Sequence, residues 1–218
     1  MKIKWNGHAS FTITTANGTV IVTDPYESGA YNGALSYAPV DDRADAALIT
    51  HEHADHNHPD DLQGHPKIFQ GAGGEVNGIK ITAVPAAHDT EGGAQRGKVT
   101  LYQFEADGVS VAHLGDLGHL LTPEQVQALG RVDVLLLPVG GFYTIDAGGA
   151  SKIVDQLKPK VVIPMHFKTP KAGFPIAEVD DFARLMTRVK KVGDSETEVR
   201  TEFLPKAGPE VWILEYAR

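Results

Sequence analysis

Short apolar runs separated by polar turns dominate the chain, and most of the runs are of strand length. Segments 3–5, 10–14 and 19–23 read as strands, the last two joined by the hairpin signal Ala16-Asn17-Gly18. Asp24-Pro25 ends the third. Residues 26–43 are rich in Gly, Tyr, Ser and Pro and lack periodicity; a loop of that length is more often functional than filler. Residues 44–50 form a further strand around Ala46-Ala47-Leu48-Ile49. Segment 59–63 is a short helix at best, and Gly71-Ala72-Gly73-Gly74 is a breaker.

Beyond that point one arrangement recurs. Ile79–Val84 leads into His88-Asp89, and Val109–Ala112 leads into His113-Leu114-Gly115-Asp116. Val132–Leu137, a nearly continuous apolar run suited to a strand buried on both faces, leads into Pro138-Val139-Gly140-Gly141. Lys160–Ile163 leads into Pro164-Met165-His166. Binding groups of layered α/β proteins gather at the carboxyl ends of strands, and core packing does not explain this repetition.

Helices lie between these strands. Thr122-Pro123-Glu124-Gln125 offers an N-cap threonine, a first-turn proline and Gln three residues after the cap. Ala150–Leu157 is a second helix, stopped near Pro159. A third begins near Pro175, with Ile176, Val179, Phe182, Leu185, Met186 and Val189 at helical spacing as its core face. Val211–Tyr216 is a final strand. The order predicts an α/β fold with two sheets packed together and helices outside.

Composition narrows the class. The 218 residues are enough for a substantial core, expected to be a single domain over 1–218. Apolar residues at 42% and charged residues at 22% fit a soluble globular protein, and no stretch approaches the roughly 20 apolar residues of a membrane span. The N-terminus lacks the apolar core of a secretory signal, and cytoplasmic localisation is the expectation. Without cysteine, disulfides are excluded and any metal must be held by nitrogen and oxygen. A net charge of −8 without a basic block argues against a nucleic-acid partner. It does not exclude a small anionic substrate, because the field of a metal site is local.

The chemistry concentrates in Thr50-His51-Glu52-His53-Ala54-Asp55-His56, directly after an apolar strand. Imidazole and carboxylate are common ligands of zinc-like ions. Residues two apart point the same way in an extended segment, so His51 and His53 can grip one ion. Asp55 and His56 lie where a turn could present a second pair, so the spacing suggests two neighbouring metal sites. Asp24, at a strand end, is a candidate acceptor for the N–H of a ligating imidazole. His8, in Asn6-Gly7-His8-Ala9, is either a turn histidine or a cleft-lining group.

Taken together these residues resemble the metallo-β-lactamase superfamily over essentially the whole chain. The motifs occur in order: His51-x-His53-x-Asp55-His56, His88, Asp116 and His166. Gly7-His8, Asp24-Pro25 and Pro164-Met165-His166 look most like the small hydrolases grouped with ascorbate-6-phosphate lactonase and N-acylphosphatidylethanolamine phospholipase D. The resemblance implies an αββα sandwich of two mixed β-sheets. It also implies one metal on His51, His53 and His88, a second on Asp55, His56 and His166, and Asp116 bridging them. His113 and His119 flank Asp116 as competing candidates.

The expected activity is hydrolysis of a small ester, lactone or phosphoester by hydroxide generated between two divalent metals. Zinc is the expected metal, with manganese or iron compatible. Asp55 and Asp116 are the expected catalytic carboxylates. Arg96, Lys98, Tyr143 and Lys168 are candidates for holding an anionic substituent, and a homo-oligomer is compatible with the sequence. A metal-loaded binding or sensor protein is the alternative. A di-metal oxidoreductase is disfavoured because the di-iron flavoproteins of this superfamily carry Glu where His53 stands.

Overall fold

Two mixed β-sheets stack face to face in a computed structural model that describes residues 1–218. The first sheet holds β1 (Lys2–Gly7), β2 (Ser10–Thr14), β3 (Val20–Thr23), β4 (Ala46–Ile49) and β5 (Lys67–Gln70). The second holds β6 (Gly74–Val76), β7 (Ile79–Ala87), β8 (Lys98–Ala106), β9 (Val109–His113), β10 (Val134–Pro138), β11 (Val161–Met165) and β12 (Val189–Lys191). β13 (Glu196–Glu198) returns to the first sheet beside β1, and β14 (Glu210–Ile213) sits between β11 and β12. The helices are α1 (Ala30–Gly33), α2 (Pro123–Leu129), α3 (Ala147–Leu157) and α4 (Val179–Ala183).

Strand direction brings the functional loops to one edge. β1 and β3 are both antiparallel to β2, and β4 runs parallel to β3, so Gly7, Thr23 and Ile49 end at the same side of the first sheet. In the second sheet β7 and β9 are both antiparallel to β8, and β10 and β11 continue parallel to β9. The carboxyl ends of β7, β9, β10 and β11 therefore share one edge. The bond from Thr100 N–H to the Thr50 carbonyl, 2.9 Å, stitches the two sheets there.

Local rules explain the elements. β10 and β11 are buried along their whole length, as parallel strands covered on both faces must be. α2 carries a full capping box: the Thr122 hydroxyl accepts from Gln125 N–H, and Gln125 Oε1 accepts from Thr122 N–H. α3 is capped by Asp146, which accepts from Gly149 N–H at 2.8 Å, and buries Ala150, Ile153, Val154 and Leu157 along one face. One continuous core of 49 buried residues runs from Met1 to Leu214. A second cluster, including Tyr26, Leu35, Tyr37 and Phe174, packs on Val22 and Ala47 and anchors the 26–43 loop.

The structure departs from the expected order at several elements. The third helix is only the five-residue α4; Phe182 is buried, whereas Leu185 is 52% and Val189 40% exposed. Past Ala183 the chain turns, and Val189 pairs with Val211 as an edge strand. Lys98, a candidate for holding an anionic substituent, opens β8, a nine-residue strand absent from the expected order. β5, β6, β12 and β13 are likewise short edge or near-edge strands that the hydrophobic pattern did not single out.

The corrected stripe is open to a stability test. Phe182→Ala is expected to cost about 3–5 kcal/mol, and Leu185→Ala to stay within about 0.5 kcal/mol, in urea unfolding. Equal losses would restore the long amphipathic helix.

Candidate metal centre

β4 ends at Ile49, and the next seven residues fold into bends and a tight turn rather than a helix. His56 N–H and Asn57 N–H both bond the His53 carbonyl at 2.9 Å, which turns Asp55 and His56 back toward His51. His51, Asp55 and His56 are buried, whereas His53 is exposed in the cleft. Each remaining cluster member follows its own strand: His88 after β7, Asp116 three residues past β9, and His166 directly after β11.

Asp24 organises the inner wall. It has no solvent exposure and a left-handed backbone, φ 40°. Oδ1 accepts from Thr50 N–H at 2.8 Å, and Oδ2 accepts from the Thr50 hydroxyl at 2.8 Å and from His56 Nδ1 at 2.9 Å. The hydroxyl has given its proton to Asp24, so its 3.0 Å contact with His51 Nδ1 is a donation from the ring. One carboxylate thereby sets the tautomer of both imidazoles and points both Nε2 lone pairs toward Asp116. Burial opposes charge on Asp24, but His56 and His113 hold it below the ordinary carboxylate range. Gly115 is required beside this wall: a Cβ there would lie 2.6 Å from Thr50 Oγ1.

Asp116 lies at the centre. Its Oδ2 is 3.2 Å from His88 Nε2, 3.3 Å from His166 Nε2 and 3.9 Å from His51 Nε2; its Oδ1 is 3.2 Å from His56 Nε2. His51 Nε2 and His53 Nδ1 face each other at 3.0 Å. Donor atoms lie within 4.8 Å of one another in three groups: His51–His53–His88, His8–Asp55–His56–His166, and His51–His56–Asp116.

The residues fit divalent ions on a specific ground. His56 Nε2 and Asp116 Oδ1 are buried and have no hydrogen-bond partner, although they face each other. A lone pair against a carboxylate is repulsive unless positive charge lies between them. Burial lowers the pKa of His56, yet Asp116, Asp55 and Asp24 together hold it well above the usual imidazole value, so without a metal ion a proton takes the place that the ion would fill. At His51 and His8 burial favours the neutral form, which is the ligating one. Burial, with His56 adding to it, pushes His51 down to about 3; burial and His166 push His8 down to about 4.

The other sequence candidates separate cleanly. His8, left-handed at φ 52°, reaches Asp55 Oδ2 with Nε2 at 2.9 Å and so joins the cluster. His113 is buried and spent: Nε2 donates to the Ala9 carbonyl at 2.8 Å and Nδ1 accepts from Gly115 N–H. His119 accepts from Ala87 N–H and donates to the Leu120 carbonyl, bracing the turn after Asp116. Arg96 and Tyr143 line the cleft. Lys98 and Lys168 do not: their ammonium groups donate to the Gly92 and Phe174 carbonyls. Tyr31 is a cleft residue that sequence reasoning missed. Its hydroxyl donates to Asp55 Oδ1 at 3.0 Å from a left-handed turn, φ 55°, whose flanking Gly29 and Gly33 were the available signal.

The loop bearing Arg96 is built on Asp89. That carboxylate accepts from the backbone N–H groups of Glu91, Gly93, Gln95 and Arg96 at 2.7–2.9 Å. Burial opposes charge, but these bonds bring its pKa down to about 2.

A sandwich of two mixed sheets with a buried histidine–aspartate cluster at one edge of both defines a hydrolase architecture of the metallo-β-lactamase type. The chain belongs to the β-lactamase superfamily: the family described as beta-lactamase superfamily domain matches residues 2–166, a span that contains the whole cluster. It is 32% identical to a UPF0173 metal-dependent hydrolase of Archaeoglobus fulgidus over 83% of this chain and 87% of that protein. A UPF0173 metal-dependent hydrolase of Thermococcus onnurineus is 34% identical over 85% and 92%. A Thermotoga maritima structure, described as a Zn-dependent hydrolase of the metallo-β-lactamase superfamily, superposes with a TM-score of 0.80 at 36% identity, covering 99% of this chain and 98% of that one. The protein is a metal-dependent hydrolase of this superfamily.

Two consequences are measurable. Asp24→Asn keeps the shape but cannot accept three hydrogen bonds, and should weaken zinc affinity about 10–100-fold in chelator competition; unchanged affinity would remove Asp24 from the site. Asp89 titrates below its ordinary 3.8 in the folded chain, so its contribution to loop order is complete above that value and lost as pH falls toward about 2. Amide exchange of residues 91–96 should accelerate over that interval, and Asp89→Asn should remove the pH dependence.

Proposed function

We propose that the protein hydrolyses a small ester, lactone or phosphoester with two divalent cations bound in this cluster. The observation that carries this reading is the buried, unpartnered pair His56 Nε2 and Asp116 Oδ1. His51, His53 and His88 would hold one ion, Asp55, His56 and His166 the other, with Asp116 between them. Five imidazoles and two carboxylates suit zinc, and manganese or iron is compatible with the same set. Bound ions would supply Lewis acidity toward a substrate oxygen and acidify water to near-neutral pKa.

The chain's own side chains do the positioning. Both oxygens of Asp55 are engaged, by His8 Nε2 at 2.9 Å and the Tyr31 hydroxyl at 3.0 Å, which fixes the plane of the carboxylate. Burial works against its charge, but His56 and His8 hold it well below the usual carboxylate range. Asp55 therefore stays an acceptor and can orient a nucleophilic water. The likeness to lactonase- and phosphodiesterase-type hydrolases frames the choice of scissile bond, and a panel of lactones, aryl esters and phosphodiesters decides it.

Protein purified without chelators or nickel resin is expected to carry about two ions per chain by elemental mass spectrometry. Asp116→Ala should lose at least one ion and reduce hydrolysis to background. Retained turnover at full metal load in that variant would overturn the scheme.

A further inference from the structure

We infer that the cleft selects substrates with one negative charge set apart from the scissile bond by an apolar or aromatic body, and that Arg96 is the anchor for that charge. This rests on the hydrolase reading above.

The cleft, about 420 Å³, is two-sided. One side is the histidine–aspartate cluster. The other is a continuous arc of rings. Tyr31 meets Phe174 edge to face with centroids 5.7 Å apart, and Phe174 meets Tyr143 edge to face at 6.1 Å. The arc begins where the Tyr31 hydroxyl bonds Asp55, and ends where the Arg96 guanidinium lies 5.8 Å from the Tyr143 ring centroid. A ligand lying along it would run from Asp55, where bond cleavage is placed, over aromatic faces to a guanidinium.

Arg96 is the only Lys or Arg lining this cleft. Its side chain forms no hydrogen bond or ion pair; the Tyr143 ring is its one partner, while its backbone N–H is held by Asp89. Lys98 and Lys168, by contrast, are committed to backbone carbonyls. A half-buried guanidinium that is preorganised by a ring and the loop beneath it, with all its donors free, is suited to a planar anion. A single such group balances a single charge. The chain carries −8 overall, so the guanidinium supplies attraction that the protein's general field does not. The Tyr31 end of the arc is set by a left-handed backbone, φ 55°, at a non-glycine residue, a conformation that carries a steric cost.

The test uses two esters with the same scissile bond: mono-(4-nitrophenyl) terephthalate, whose carboxylate cannot reach its own ester across the ring, and methyl 4-nitrophenyl terephthalate, its neutral counterpart. In each, water adds to the acyl carbon, the bond to the phenol oxygen breaks, and the acid, nitrophenolate and protons leave. The zinc-loaded protein should favour the anionic ester in kcat/KM by about 10–100-fold, chiefly through KM. Arg96→Leu should collapse the ratio toward one and Arg96→Lys should restore part of it; the ratio is insensitive to a general loss of activity. A ratio near one in the unaltered protein, or a ratio that survives Arg96→Leu, would overturn the inference and leave the hydrolase reading standing. If neither ester is turned over at full metal load, that reading falls on these substrates, and binding decides the inference separately. Chelated protein should then bind 3-phenylpropionate about 10-fold or more tightly than 3-phenylpropanol, by saturation-transfer NMR, and lose that preference in Arg96→Leu. Equal binding overturns it.

Discussion

A carboxylate without solvent exposure, Asp24, sets the geometry on which the rest of the site depends. A buried charge is tolerated only when its hydrogen-bonding capacity is filled, and Asp24 fills it with a backbone amide, a hydroxyl and an imidazole. Those three donors belong to Thr50 and His56, the two ends of the motif loop. The charge cannot be satisfied unless the loop adopts its turn, and the turn cannot form without orienting His51 and His56. The desolvation penalty of one group thus becomes the restraint on two others. Gly115, pressed against Thr50, extends the restraint to the loop that carries Asp116.

The scaffold supplies what that network needs, a fixed edge. Seven strand ends converge there, three from the first sheet and four from the second, because their directions agree within each sheet. Side chains on strand ends inherit the rigidity of the ladder. Cleft walls made by the 26–43 loop, the Asp89 loop and Phe174 are instead held by side-chain anchors outside the main core. The histidine–aspartate half of the site is consequently tied to the fold, whereas the aromatic half depends on a few local contacts.

Legibility in the sequence followed the same division. The cluster could be read because strand periodicity is local and because His51, His53, Asp55 and His56 have ligand chemistry at a meaningful spacing. Asp24 was readable as a strand-end acceptor for a ligating imidazole, although which imidazole, and the two donors from Thr50, were not. Tyr31 was not readable, since nothing in an aperiodic loop says that a left-handed turn will aim a hydroxyl at Asp55. Lys98 and Lys168 resembled anion ligands by type alone; which backbone carbonyl captures an ammonium is decided by tertiary placement. The helix expected from Pro175 to Val189 failed for a related reason. Of its stripe only Val179 and Phe182 fall in α4; Ile176 precedes the helix and packs in the second cluster, and Val189 pairs with Val211 at the sheet edge.

Arg96 shows how the two halves are coupled. Its guanidinium faces the substrate side, but its amide is one of four that converge on Asp89, and Asp89 immediately follows His88 at the end of β7. The loop that carries Arg96 is therefore hung from the same strand end that presents an imidazole to Asp116. A carboxylate with four backbone amides fixes a glycine-rich loop without burying hydrophobic surface, so the loop's exposed tip can vary while the position of residue 96 relative to the cluster does not. For a substrate of the kind proposed, that arrangement would hold the charged end at a defined distance from the cluster, while the apolar arc between them would tolerate differences in the body of the molecule.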